Sequence, residues 1–287
     1  SEGSEISDNS AENSVEESTQ MDFDSYQEIV MKDIESAERS DEPLEFTELG
    51  DEITPAADDK DGDLGSYRES AYGTKLYFNE DEFPSELMQT LEQYFISFSE
   101  NDYTKYTRCT YPDYLDKMDE YLKKELQYDT KTSFATQCSN LATTTNGKFK
   151  ISRLKLDTPQ QYQEDKDNLE AYFENFKDML GEDYYEQLKK DTDKIYDGEF
   201  YVMAEDRMGK ESLLVAHMKS FLLKKTEDIM YLVNRRINMK AMLKKAAAVV
   251  SAAVLCAAAV GCSNKDTESS KSESNLVGGP SDGMSLD

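Results

Sequence analysis

Phe83-Pro84-Ser85-Glu86-Leu87-Met88-Gln89-Thr90-Leu91-Glu92-Gln93-Tyr94-Phe95-Ile96-Ser97-Phe98 is the stretch from which the fold is read. Phe83, Leu87, Leu91, Phe95 and Phe98 recur at spacings of 4, 4, 4 and 3, which places them on one face of a helix over roughly 84–99. Pro84 suits the first turn, where a missing N–H costs nothing. Pro112 to about Gln127 repeats the pattern with Leu115, Met118, Leu122 and Leu126. Further on the period changes. Lys148-Phe149-Lys150-Ile151 alternates as a strand does, and Leu154-Lys155-Leu156 alternates in the opposite phase, so a bulge is expected near Ser152-Arg153. A long helix is expected from about Gln160, carrying Leu169, Phe173, Phe176 and Leu180 and ending near Gly181, followed by a shorter one with Tyr184, Tyr185 and Leu188. Glu199–Ala204, Ser212–Lys224 and Ile229–Val233 then read as an antiparallel meander with turns at Arg207-Met208-Gly209-Lys210 and Thr226-Glu227-Asp228. Helices first and sheet after make an α+β domain, expected over 71–238.

The rest of the chain has a different composition. Of the 18 tyrosines and 12 phenylalanines, 15 and 10 fall in 76–238. The whole chain of 287 residues is 32% charged with a mean hydropathy of −0.76, too polar to be folded throughout. Its net charge of −28 disfavours nucleic acid and anionic lipid headgroups as partners. Residues 1–70 carry 23 acidic and 4 basic side chains, and the expectation is an acidic disordered linker. Within it, Met21 to Arg39 has a short helical pattern and Leu44–Leu49 the pattern of a lone strand. Asp58-Asp59-Lys60-Asp61-Gly62-Asp63 invites a calcium reading, but aligning Gly62 as the loop glycine puts Ala57 and Arg68 at the first and twelfth ligand positions, so an EF-hand loop fails. No metal site is expected, and no cofactor.

Near the other end, Met239-Lys240-Ala241-Met242-Leu243-Lys244-Lys245 precedes a 15-residue apolar run, Ala246 to Val260, broken only by Ser251. Basic head, short apolar body and small residues at Ala259 and Gly261 are the parts of a secretion signal, and the run is too short for a membrane span of about 20 residues. Ala259-Val260-Gly261-Cys262 resembles the lipobox of bacterial lipoprotein precursors, with Ala259 where that family usually has Leu. The resemblance implies cleavage between Gly261 and Cys262, lipidation of Cys262, and anchoring of an extracytoplasmic protein to the bacterial membrane. The expected segments are therefore a signal peptide over 239–261 and a lipidated Cys with a Ser-rich linker over 262–287. A signal works only when it leaves the ribosome first, so the expected gene order is 239–287 followed by 1–238. The linker of about 95 residues would then reach roughly 50–60 Å. A fusion, a circular permutation or an N-terminal stretch written at the end of the chain are the alternatives.

Within 76–234, the helix followed by Ser99-Glu100-Asn101-Asp102-Tyr103-Thr104-Lys105-Tyr106, a second helix, a strand, an inserted helix and a closing meander ending Glu227-Asp228-Ile229-Met230-Tyr231-Leu232-Val233 resembles the nuclear transport factor 2-like, or cystatin-like, domains of Gram-positive lipoproteins. That resemblance implies helices packed on a curved antiparallel sheet, a cone with a cavity, and binding roles for an unknown extracellular ligand or envelope protein.

No catalytic residue is singled out. Enzymes on such a fold set a desolvated carboxylate opposite a Tyr or Asp donor, yet here no spacing selects a pair, and neither a nucleophile elbow nor a phosphate-binding glycine loop is present. Tyr103, Tyr106, Tyr111 and Tyr114 are candidates for lining a ligand groove, since aromatic faces stack on apolar ligands. His217 is a further candidate if it faces a cavity. Cys109 and Cys138 remain for an oxidising compartment as either a disulfide or two small buried thiols, and the disulfide is expected. The functional expectation is a non-enzymatic binding or envelope-interaction module, with a cavity-based isomerase or hydrolase and a purely structural spacer as alternatives.

Overall fold

The computed structural model describes residues 22–56, 58–158, 173–174, 176–226 and 229–234. The acidic stretch 1–21, the expected signal with Gly261 and Cys262, and most of the helix expected over 160–180 lie outside the described residues.

Asp22 opens helix α1 (Phe23–Asp33), its carboxylate accepting the Ser25 N–H at 3.0 Å. A 3₁₀ turn at Gly62–Leu64 leads into β1 (Arg68–Glu69) and β2 (Lys75–Tyr77). Four helices follow: α2 (Ser85–Glu100), α3 (Tyr103–Cys109), α4 (Pro112–Leu126) and α5 (Thr130–Thr145). Then come β3 (Phe149–Asp157), the short α6 (Lys177–Leu180), α7 (Tyr184–Asp191), β4 (Lys194–Asp206), β5 (Glu211–Thr226) and β6 (Ile229–Asn234). The strands form one sheet in the order β1-β2-β3-β4-β5-β6. All neighbours are antiparallel except β2 and β3. That exception corrects the all-antiparallel expectation: four helices separate β2 from β3, long enough for the chain to return to the same end of the sheet.

Helix α2 falls where its periodicity puts it, but it is enclosed on all sides rather than on one. Leu87, Met88, Leu91, Phe95 and Phe98 are buried, and so are Gln89, Thr90, Glu92, Gln93 and Ser97. Asn101 in the left-handed region stops α2, and the Asp102 N–H returns to the Ser97 carbonyl at 2.8 Å. The same Asp102 side chain caps α3 by accepting the Lys105 N–H at 2.8 Å. In α4, Pro112 sits in the first turn, and Leu115, Met118 and Leu122 are buried.

The bulge expected near Ser152 is present, because the β3–β4 register shifts between Ile151 and Arg153. It keeps Ile151, Leu154 and Leu156 all buried although their spacing breaks strict alternation. The expected meander forms, with β4 longer than its apolar pattern. At its first turn the Asp206 carboxylate accepts the Met208 and Lys210 N–H groups at 2.8 and 2.9 Å, and Gly209 takes a positive φ of 76°.

The boundary expected at residue 70 moves to the N-terminal side. Residues 22–56 and 58–70 belong to the folded unit: Val30, Ile34 and Leu44 are buried in the main core with Leu76, Phe95 and Phe200. Helix α1 packs on α5. Residues 44–49 make no strand; the side chains of Gln89 and Gln93 bond their backbone instead. Acidic composition hid these contacts because the apolar residues are few while the fastening is polar. Arg39 reaches Asp116 at 2.6 Å and Thr130 at 3.0 Å, Thr107 accepts the Ser40 N–H at 3.0 Å, and Arg108 donates to the carbonyls of Glu42 and Pro43.

Candidate functional site

The four tyrosines proposed to line a groove are core residues. Tyr103, Tyr106, Tyr111 and Tyr114 are 2%, 7%, 4% and 1% exposed. Tyr103 and Tyr106 stack with ring centroids 6.0 Å apart, Tyr106 meets Phe134 at 5.0 Å and Tyr94 at 5.5 Å, and Tyr94 in turn meets Phe98 at 4.9 Å. The Tyr103 hydroxyl pairs with Thr130 at 2.7 Å, and burial pushes the Tyr106 hydroxyl far above its ordinary range. Tyr111 packs on Tyr231 at 5.7 Å and is pushed up to about 12, first by burial and then by nearby carboxylates. Tyr103 and Tyr106 thus pack among α2, α3 and α5, while Tyr111 packs against β6.

The expected disulfide is absent as well. Cys109 and Cys138 are free thiols at 0% and 1% exposure, both raised well above the usual thiol range by desolvation. Cys138 lies on α5, close enough to raise the Tyr26 hydroxyl of α1, whereas Cys109 ends α3 near Lys105 and Arg108. His217 lies on β5 beside the register shift between Phe200 and Val202, with its side chain outside the described residues.

A concave surface does exist, at a place with no marked sequence signal. Two adjoining recesses of about 210 and 380 Å³ share Arg68 and Glu80. The walls come from the 48–52 segment, the start of β1, and the turn from Phe78 into α2. Tyr67, Phe78 and Phe83 supply apolar surface, while Glu48, Glu52, Glu80, Asp81 and Glu86 supply carboxylates. Arg68 is fixed in the shared wall by the Glu80 carboxylate and by the Gly50 carbonyl at 2.8 Å. Five carboxylates around one tied guanidinium leave a field that repels anions.

The carboxylate best suited to acid–base work lies elsewhere. Glu92, in the middle of α2 and 1% exposed, accepts the Ser70 hydroxyl at 2.6 Å. Burial raises its pKa, and the hydroxyls of Ser70 and Thr74 offset only part of that. It lines neither recess, so the desolvated acid and the concave surface are separate. Among the described residues no group of three or more His, Cys, Asp or Glu is placed to hold a metal, and no helix is long and apolar enough to cross a membrane. The chain matches no protein-family model, no curated protein and no solved structure.

Proposed function

We propose that the protein is an exported bacterial lipoprotein, anchored through Cys262, whose α+β domain binds a ligand without transforming it. The observation that carries the binding reading is the pair of recesses around Arg68: concave, part aromatic, with the shared guanidinium tied in place, and apart from the buried acid that catalysis would need. Their carboxylates favour a neutral or cationic partner over nucleic acid or anionic lipid. The anchor rests on the Met239–Cys262 sequence, in which a basic head, a short apolar run, small residues and a Cys follow one another as in a lipoprotein signal. We also assign the domain to the cystatin-like, nuclear transport factor 2-like kind. Register shifts between β3 and β4, β4 and β5, and β5 and β6 bend strands, and α2 touches both β3 and β6, as a helix held by a curved sheet does.

Growing cells that express the native gene on radiolabelled palmitate tests the anchor. Label in the intact protein, lost on Cys262→Ala with release of the protein to the medium, is the expected result. An unlabelled protein, or a tryptic peptide running through Asn238-Met239 in the native product, overturns the reading.

A further inference from the structure

Lys75 on β2 and Arg153 on β3 are register partners, so two cations face each other across one strand spacing. Like charges directly opposite cost stability unless a counter-charge lies between them. The 58–64 loop supplies it. Asp58, Asp59 and Lys60 are exposed, but Asp61 turns in to 4% exposure and meets Lys75 at 3.1 Å and Arg153 at 2.9 Å. Both contacts use a single oxygen, Oδ2. Arg153 also reaches Glu211 at 2.7 Å, and Glu211 holds Lys60 at 3.0 Å, which leaves three cations against two carboxylates in a protein of net charge −28.

One group in this cluster is unsatisfied. Tyr77 lies two residues along β2 from Lys75, on the same face of the sheet and opposite to Leu76 in the core. Tyr77 is 1% exposed and its hydroxyl makes no hydrogen bond, although it is near enough to Asp61, Lys75 and Arg153 to feel their charges. A buried hydroxyl of this kind needs a partner, and a carboxylate offers two oxygens where Asp61 uses one.

We propose that Lys75, Arg153 and Tyr77 form a carboxylate-binding site on the sheet face away from α2, and that Asp61 occupies it from within the chain as a stand-in for the ligand. An external carboxylate competes with Asp61 and displaces the 58–64 loop. The ligand chemistry is a carboxylate, carried either by a small free acid or by an acidic peptide. The site adjoins the recesses around Arg68 through Tyr67, whose ring lies 5.3 Å from that of Tyr77 and 4.8 Å from Lys75 Nζ, but Lys75, Arg153 and Tyr77 do not line those recesses, and failure of the site would leave the proposal for them intact.

Two measurements on the full chain test it. In the first, Asp61→Ala lowers Tm, and sodium formate, or a peptide with the sequence of residues 58–63, is titrated against matched sodium chloride. Ligands that bind only the folded state raise Tm with concentration, and about 100 mM formate is expected to restore roughly half of the loss. Asp61→Ala with Arg153→Gln is expected to show no restoration. Recovery with formate identifies a free acid as a sufficient ligand, recovery with the peptide alone identifies an acidic peptide, and recovery with neither beyond chloride overturns the site. In the second, cutting of the wild-type chain before Asp58, Asp59 or Asp61 by an aspartate-directed protease is followed by mass. Formate is expected to speed these cuts several-fold, and a rate equal to that in chloride overturns displacement even if Asp61→Ala does not fold.

Discussion

The side-chain amide of Gln89 closes on the backbone of Thr47 from both directions, Oε1 accepting its N–H at 2.9 Å and Nε2 donating to its carbonyl at 3.0 Å. Gln93, one turn on, donates to the Glu45 carbonyl at 3.2 Å. A helix side chain thus does for residues 45–47 what a neighbouring strand does in a sheet. Gln89→Ala removes both bonds and is expected to cost about 1–2 kcal/mol, two net hydrogen bonds, because the deserted groups belong to an exposed residue and can turn to water. Urea unfolding measures the loss, and amide exchange should quicken at Thr47 before it does in α2.

Glu92 gives a pH dependence of known sign. Its folded pKa is raised, so the stability it contributes is complete below its unfolded pKa and is lost as pH rises through the folded value. Glu92→Gln keeps the shape and the acceptor for Ser70 but cannot ionise. The variant is expected to gain on the wild type progressively as pH rises above the ordinary carboxylate range. Denaturation midpoints at a series of pH values give the difference, and a difference constant with pH would refute the assignment.

Asp119 behaves in the opposite sense. Burial would raise it, but the Lys123 ammonium, the Thr130 N–H and hydroxyl, and Arg39 together hold it below its usual value. Its contribution is present above the unfolded pKa and disappears as pH falls through the folded one. Asp119→Asn is expected to be destabilised near neutrality and to converge with the wild type in acid, as thermal melts over pH would show.

Arg39 ties the 34–42 segment to three helices at once through Asp116, Thr130 and Tyr103. Lysine retains the charge but cannot fork. Arg39→Lys is therefore expected to cost about 1–2 kcal/mol by chemical denaturation, with little relief from salt, because geometry rather than net charge is lost.

The free thiols predict slow chemistry. Cys109 and Cys138 should resist an aromatic disulfide reagent in the native protein and react fully in denaturant, with no mass change on prior reduction. A native mass 2 Da low, on the order expected for one disulfide, would contradict the structure.

What the sequence made legible were the elements with strong period: α2, α4, the β3 bulge and the closing meander. Missing was α5, whose stripe of Phe134, Ala135, Cys138 and Ala142 is weak and whose other positions are largely Ser and Thr. Those hydroxyls satisfy themselves on the helix, Thr136, Ser139, Thr143, Thr144 and Thr145 each bonding the carbonyl four residues back. The groove tyrosines were misplaced because an aromatic count does not say which way a ring points. The recesses around Arg68 were invisible because their walls come from three segments, each unremarkable alone. The buried pairing of Asp61 with β2 and β3 has no local signature in its loop.

The fastening of residues 34–49 by Gln89, Gln93, Arg39 and Arg108 bears on where the domain can be cut. A composition plot would place the start of a recombinant fragment near residue 71. Such a fragment would lack α1, Leu44 and the partners of two buried glutamines, leaving the α1-facing side of α5 and part of α2 bare to water. A fragment beginning at Asp22 keeps all of these partners, and it is expected to stay in solution under conditions where one beginning at residue 71 aggregates.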